Sequence, residues 1–111
     1  MLIAGAKRFR TFALLDTGAG TCIFGTKVAD ALEIDWKGCP GIEIAGFGGD
    51  FKGYGADARL VLPASNYAWN TRVVFSPAMD RCPYVGILGY VGFFEYFEVR
   101  FKGNRFSVRL S

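Results

Sequence analysis

The chain contains no histidine. That excludes the Ser-His-Asp and Cys-His forms of nucleophilic catalysis and every zinc site with an imidazole ligand. Its three cysteines, Cys22, Cys39 and Cys82, are odd in number and far apart. They form no Cys-x-x-Cys ligand or redox pair, and they fit reduced, mostly buried thiols in a cytosolic protein. No apolar run reaches the length of a membrane span. The start, Met1-Leu2-Ile3-Ala4-Gly5-Ala6-Lys7-Arg8, carries its charge after the apolar residues, the reverse of a signal peptide. A cytoplasmic location is expected, either as a free protein or as a domain cut from a longer precursor. Charge of one sign is also scarce, since +3 at pH 7 falls short of the basic footprint of a dedicated nucleic-acid binder.

What is present points to a folded domain. Hydrophobic residues make up 51% and charged residues 21% of 111 residues, enough for one core and one domain spanning 1–111. Fifteen glycines and eleven phenylalanines, with the glycines between short apolar runs, favour strands and turns. Residues 2–4 and 9–15 read as two strands around a Gly5-Ala6-Lys7 turn, and residues 21–24 as a short β-rich run. Thr26 is a candidate cap for a helix over residues 27–34, with Val28, Ala31, Leu32 and Ile34 on its apolar face. Residues 41–62 read as a long hairpin with a glycine-rich tip. A strand over 67–75 follows, then a loop with Pro77 and Pro83, a buried strand over 85–89, and a short helix or turn over 90–96. Residues 97–101 and 105–110 alternate around Lys102-Gly103-Asn104 as a last hairpin. The expected class is all-β with one or two short helices.

Three segments carry chemistry. In Leu14-Leu15-Asp16-Thr17-Gly18-Ala19 a carboxylate directly follows two strand leucines, where burial without partners is costly. Thr17 offers a hydroxyl, and Gly18 permits a sharp turn that lets backbone amides approach the carboxylate. The second segment is Ile87-Leu88-Gly89. The third is Gly46-Phe47-Gly48-Gly49; a phosphate loop would lead into a helix, whereas here strand follows, as in a flexible hairpin. Alone, each has an ordinary reading: a turn ending a strand, a buried strand with a terminal glycine, a hairpin tip.

Together and in this order, the three segments resemble the retropepsin-like aspartic proteases, the retroviral-type enzymes and their cellular and bacterial relatives. The resemblance runs over most of the chain, from about residue 2 to residue 110. It implies a closed, barrel-like retropepsin fold with a flap hairpin. Asp16 then matches the catalytic aspartate, and Thr17 the residue whose hydroxyl reaches across a dimer axis. Gly18 and Ala19 match backbone that meets substrate. Ile44, Ala45, Gly46, Phe47, Gly48 and Gly49 match the flap, with Ala45, Gly46 and Phe47 at its tip, while Ile23, Ile44, Val85 and Ile87 match pocket positions. No metal and no cofactor are implied.

There are departures. Gly20 and Tyr90 stand where many retroviral members carry an acid and an arginine, so both partners of that ion pair are missing. The chain also starts almost directly at its first hairpin and runs on past Gly89 into a full hairpin, more like the cellular and bacterial branch.

The mechanism implied needs two carboxylates sharing one proton, and a chain of this length with one Asp-Thr-Gly supplies one. A homodimer is therefore expected, joined through the C-terminal hairpin and the active-site loops, acting on a protein or peptide substrate. Two other readings stay open. One is a catalytically silent module of the same fold, used for dimerisation or peptide binding. The other is a nucleic-acid platform built from Arg100, Phe101, Lys102, Arg105, Phe106 and Arg109. Strand alternation weakens the second, because the basic residues need only be solvated edges while Val99, Phe101, Phe106 and Val108 can pack inward or in the dimer sheet. Neither nucleic acid nor a membrane is the expected partner.

Overall fold

The computed structural model describes residues 1–45, 49–83 and 85–111. It is mostly β, with 50% strand against 13% helix. The strands are β1 (Leu2–Ala4), β2 (Lys7–Phe9), β3 (Leu14–Leu15), β4 (Ile23–Gly25), β5 (Gly41–Ile44), β6 (Phe51–Leu62), β7 (Tyr67–Ser76), β8 (Gly86–Leu88), β9 (Phe97–Lys102) and β10 (Arg105–Leu110). Among the described residues, eight strands form one sheet in the order β2-β1-β6-β7-β4-β8-β3, with β5 paired to β6, and β9 and β10 form a separate hairpin. The large sheet curls into a half-barrel. Its path is open, with β2 at one end and β3 at the other, so the expected closure is not seen in a single chain.

That topology corrects the strand expected over residues 9–15. Consecutive strands β2 and β3 lie at opposite ends of the sheet path. The chain must cross between them, and residues 10–13 leave the sheet to do so, with Phe12 94% exposed.

Residues facing each other across the ladders divide the sheet into two faces. Leu15 pairs with Leu88 and Phe24 with Phe75. These four belong to the main core with Leu2, Val73, Phe93 and Phe97. The other face carries Leu14, Ile87, Ile23 and Val74, which stand opposite one another in register across β3, β8, β4 and β7.

The helix α1 (Thr26–Ala31) is shorter than expected, and Thr26 is its first residue rather than its cap. Gly25 occupies the cap position without a side-chain hydrogen bond. The Thr26 hydroxyl donates to the Asp80 carboxylate, which also accepts from the Lys27 backbone N–H at 3.5 Å. A carboxylate distant in sequence thus serves one orphan N–H of the first turn. Val28, Ala29 and Leu32 are buried in the main core, whereas Ala31 is exposed. Glu33, at φ 58°, turns the chain out of the helix.

Two short 3₁₀ segments, Trp36–Gly38 and Pro77–Arg81, were not anticipated. The second begins with Pro77 at its first turn and Ser76 Oγ accepting from the Ala78 N–H, a start signal hidden inside what read as loop.

Candidate active site

Asp16 directly follows β3, and local hydrogen bonds fix its turn. The Asp16 N–H donates to the Leu88 carbonyl at 3.1 Å, so the carboxylate-bearing residue is attached to β8. One carboxylate oxygen, Oδ1, accepts from the Gly18 N–H at 2.9 Å, and the Asp16 carbonyl accepts from the Ala19 N–H at 3.1 Å. A Cβ on Gly18 would lie 3.3 Å from Oδ1, a tight approach that glycine leaves open. This is the amide approach expected of Gly18. Asp16 and Ala19 are half-buried; Thr17 and Gly18 are exposed at the turn's tip.

The turn rests on the residues after β8. The Tyr90 N–H donates to the Ala19 carbonyl at 2.9 Å, the Val91 N–H to Gly20 at 3.0 Å, and the Cys22 N–H to Val91 at 3.1 Å. Gly89 lies where a Cβ would come within 2.3 Å of the Thr21 carbonyl oxygen and 2.8 Å of that of Ala19. Only glycine allows the two segments this contact. Gly20 and Tyr90, which stand where an ion pair was missed, are joined into this backbone ladder, so the loop is supported by main chain.

Asp16 comes directly after β3 and two residues after Leu14, whose face of the sheet carries Ile87, Ile23 and Val74. Ile23, Val74 and Met79 form a buried cluster there, with Ile44, Phe51 and Ile87 packed against it. The structure therefore brings together three of the sequence-derived pocket residues, Ile23, Ile44 and Ile87. Ile44 ends β5 and pairs with Phe51 at the start of β6. Gly53 makes their fold-over feasible, since a Cβ there would sit 2.3 Å from Val74 Cγ1 and 3.1 Å from Ile44 Cδ1.

Val85 does not join the cluster and stays 37% exposed. Its carbonyl accepts from the Gly25 N–H at 2.9 Å, extending the β8 contact with β4. Ala45 and Gly49 are exposed, Gly49 at φ +110°. The rest of the expected tip, Gly46, Phe47 and Gly48, lies outside the described residues. Leu14, Phe51, Gly53, Val74 and Met79 were missed from sequence. Leu14 was legible by its two-residue spacing from Asp16, whereas the others needed the register.

The opposite face holds an apolar cavity of about 180 Å³, lined by Leu15 and Leu88 together with Phe12, Trp69, Phe106 and Val108. It lies under the β9–β10 hairpin, on the core side of the sheet. Among the described residues no cluster of three or more His, Cys, Asp or Glu side chains is arranged to hold a metal. No helix among them is long and apolar enough to cross a membrane.

No protein-family model matches the chain, and neither a curated protein nor a solved structure matches it significantly.

Proposed function

We propose that the chain is one half of an aspartic endopeptidase with the retropepsin-like fold, active as a homodimer in which two Asp16 carboxylates flank one water. The observation that carries this reading is the placement of Asp16. It directly follows β3, whose Leu14 stands in register with Ile87, Ile23 and Val74, the loop end of the β5–β6 hairpin packs against that cluster, and its turn is hydrogen-bonded onto the Leu88 strand.

Two facing carboxylates cannot both ionise easily and hold one proton between them. The ionised member takes a proton from water, and the protonated member donates to the scissile carbonyl. Water attack then gives a tetrahedral diol with no acyl-enzyme. Thr17, exposed beside Asp16, meets its symmetry mate in this reading. The kcat/KM profile against pH is expected to be bell-shaped, with an acid to near-neutral optimum; a monotonic rise to pH 9 would exclude the carboxylate pair.

The substrate in this reading is an extended peptide with apolar side chains beside the cut, seated against Ile23, Ile44 and Ile87. The β9–β10 hairpin supports the dimer. It stands apart from the main sheet and leaves Phe101, Phe106 and Leu110 62%, 57% and 62% exposed. Both phenylalanines were expected to pack inward or in the dimer sheet; Phe106 lines the core-side cavity, and both keep more than half of their surface exposed in one chain. A second copy covers them in this reading.

The test is cleavage of a denatured protein or peptide library, with the cut sites mapped by mass spectrometry. Wild type should cut between apolar residues, and Asp16→Asn should fold, dimerise and not cut. A wild type without activity would leave the silent module as the better reading.

A further inference from the structure

Beneath the Asp16 turn, one side chain reaches the backbone of Gly89. Cys22 follows Thr21 at the end of that turn and is fully buried. Its Sγ accepts from the Gly89 N–H at 3.4 Å and lies 4.0 Å from the Gly89 carbonyl oxygen. The same carbonyl accepts from the Phe94 N–H at 3.1 Å. A Cβ on Gly92 would stand 3.0 Å from the sulfur, so the thiol is enclosed on that side too. The main chain of Cys22 ties the neighbouring strands, its N–H donating to Val91 and its carbonyl accepting from Val74 at 2.9 Å. Gly89 is thus held between the Thr21 and Ala19 carbonyls and a thiol.

We infer that Cys22 is a positioning residue for the Asp16 carboxylate, acting through Gly89 and the Leu88 carbonyl that holds the Asp16 N–H. The chain of contacts is short. The thiol fixes the Gly89 N–H, that N–H shares one planar peptide group with the Leu88 carbonyl, and that carbonyl holds the backbone of Asp16. Loss of the sulfur leaves a buried N–H without its acceptor, and the peptide between Leu88 and Gly89 is free to tilt. In a two-carboxylate site a tilt on one chain is repeated on the other. The separation of the carboxylates changes by twice the displacement, and the reaction is sensitive to that separation. Burial also pushes the thiol pKa up to about 11, so the group stays a neutral thiol over the working pH range and adds no third charge beside the pair.

The inference rests on the proposed peptidase activity, and its test separates the two. Cys22→Val removes the polar group at similar volume, and Cys22→Ser restores a donor and acceptor. Each variant is assayed per folded dimer on the peptide that wild type cuts best. Cys22→Val should lower kcat by about tenfold or more with KM within about twofold, and Cys22→Ser should recover most of the loss. The second readout needs no activity. Amide hydrogen exchange at Gly89 should accelerate in Cys22→Val while protection in β6 and β7 is kept.

Unchanged kcat in folded Cys22→Val, or unchanged exchange at Gly89, overturns the inference. So does a serine variant no better than valine. If Cys22→Val does not fold, Cys22→Ala replaces it; failure of both to fold makes Cys22 a core residue only, against the inference. A wild type that cuts nothing, or an Asp16→Asn that still cuts, sinks the peptidase reading itself, whereas the outcomes above leave that reading standing.

Discussion

The Asp16 turn and the C-terminal hairpin are held in different ways. The turn is tied to β8 and the residues after it by backbone hydrogen bonds from Asp16, Tyr90, Val91 and Cys22, over a glycine with no room for a side chain. The hairpin is anchored at its base, where Phe97 is buried against Tyr67, Trp69 and Phe93 and Ser111 donates to the Tyr96 carbonyl. Towards its tip Phe101 and Phe106 touch each other at 6.0 Å between ring centroids and little else covers them. An isolated two-stranded hairpin is marginal in water. One region is complete within the chain, and the other leaves apolar side chains exposed that the proposed second copy would cover. A site needing two copies of a preorganised turn has use for both.

Deleting residues 105–111 should have the largest effect. It removes the pairing edge of β9 together with Phe106, Val108 and Leu110. Because Phe106 and Leu110 are exposed in one chain, the main sheet should stay folded while the dimer is lost, and cleavage should vanish with Asp16 untouched. Analytical ultracentrifugation beside an activity assay decides it. A truncated chain that remains a fully active dimer would place the interface at the Asp16 turns and flaps.

Gly89→Ala attacks the other region. Its Cβ would meet the Thr21 carbonyl oxygen at 2.3 Å, and the backbone must shift. Overpacking of this kind costs about 1–3 kcal/mol, and the displaced turn should lose roughly a hundredfold in kcat. Thermal melts and kinetics on the same preparation check both. Loss of stability without loss of kcat would mean that Gly89 supports the fold and not the carboxylate.

A smaller effect separates the regions by pH. The Cys22 thiol is raised from 9.0 to about 11, first by burial and secondarily by Glu95, against a lowering hydrogen bond from Gly89. The unfolded chain releases this proton at lower pH than the folded chain does. The contribution to stability is therefore complete below pH 9 and is lost as pH rises from 9 to 11. The loss should be about 2–3 kcal/mol. Urea melts of wild type and Cys22→Ser across that window should converge at high pH, and parallel curves would contradict the assignment. The Arg100 and Arg109 contacts that lower the Glu98 pKa lie on the exposed hairpin, where ion pairs count for little.

The alternation of residues 97–110 and the Gly41–Ile44 and Phe51–Leu62 arms were legible because a period of two survives any tertiary arrangement. The turn at Asp16 and Gly18 was legible because a carboxylate at a strand end and a glycine turn are local chemistry, whereas Ile87 was singled out only by the resemblance. The break at residues 10–13 was not, because it is set by β2 and β3 occupying opposite ends of the sheet path. Nor was the capping of α1 by Asp80, which is distant in sequence. Whether Phe101 and Phe106 pack inward or in a dimer sheet stayed open, because alternation gives which side a residue faces and not what covers that side.

The most direct test of a site shared by two chains is a mixing experiment with Asp16→Asn. Wild type and variant are exchanged into mixed dimers at fixed total concentration, and cleavage of one peptide is followed. If each site needs Asp16 from both copies, an equal mixture should retain about one quarter of the wild-type rate, since only wild-type pairs cut. A retained rate of about three quarters would show that one Asp16 per shared site suffices, and about one half, in proportion to the wild-type fraction, that each chain carries its own site; either would contradict the account.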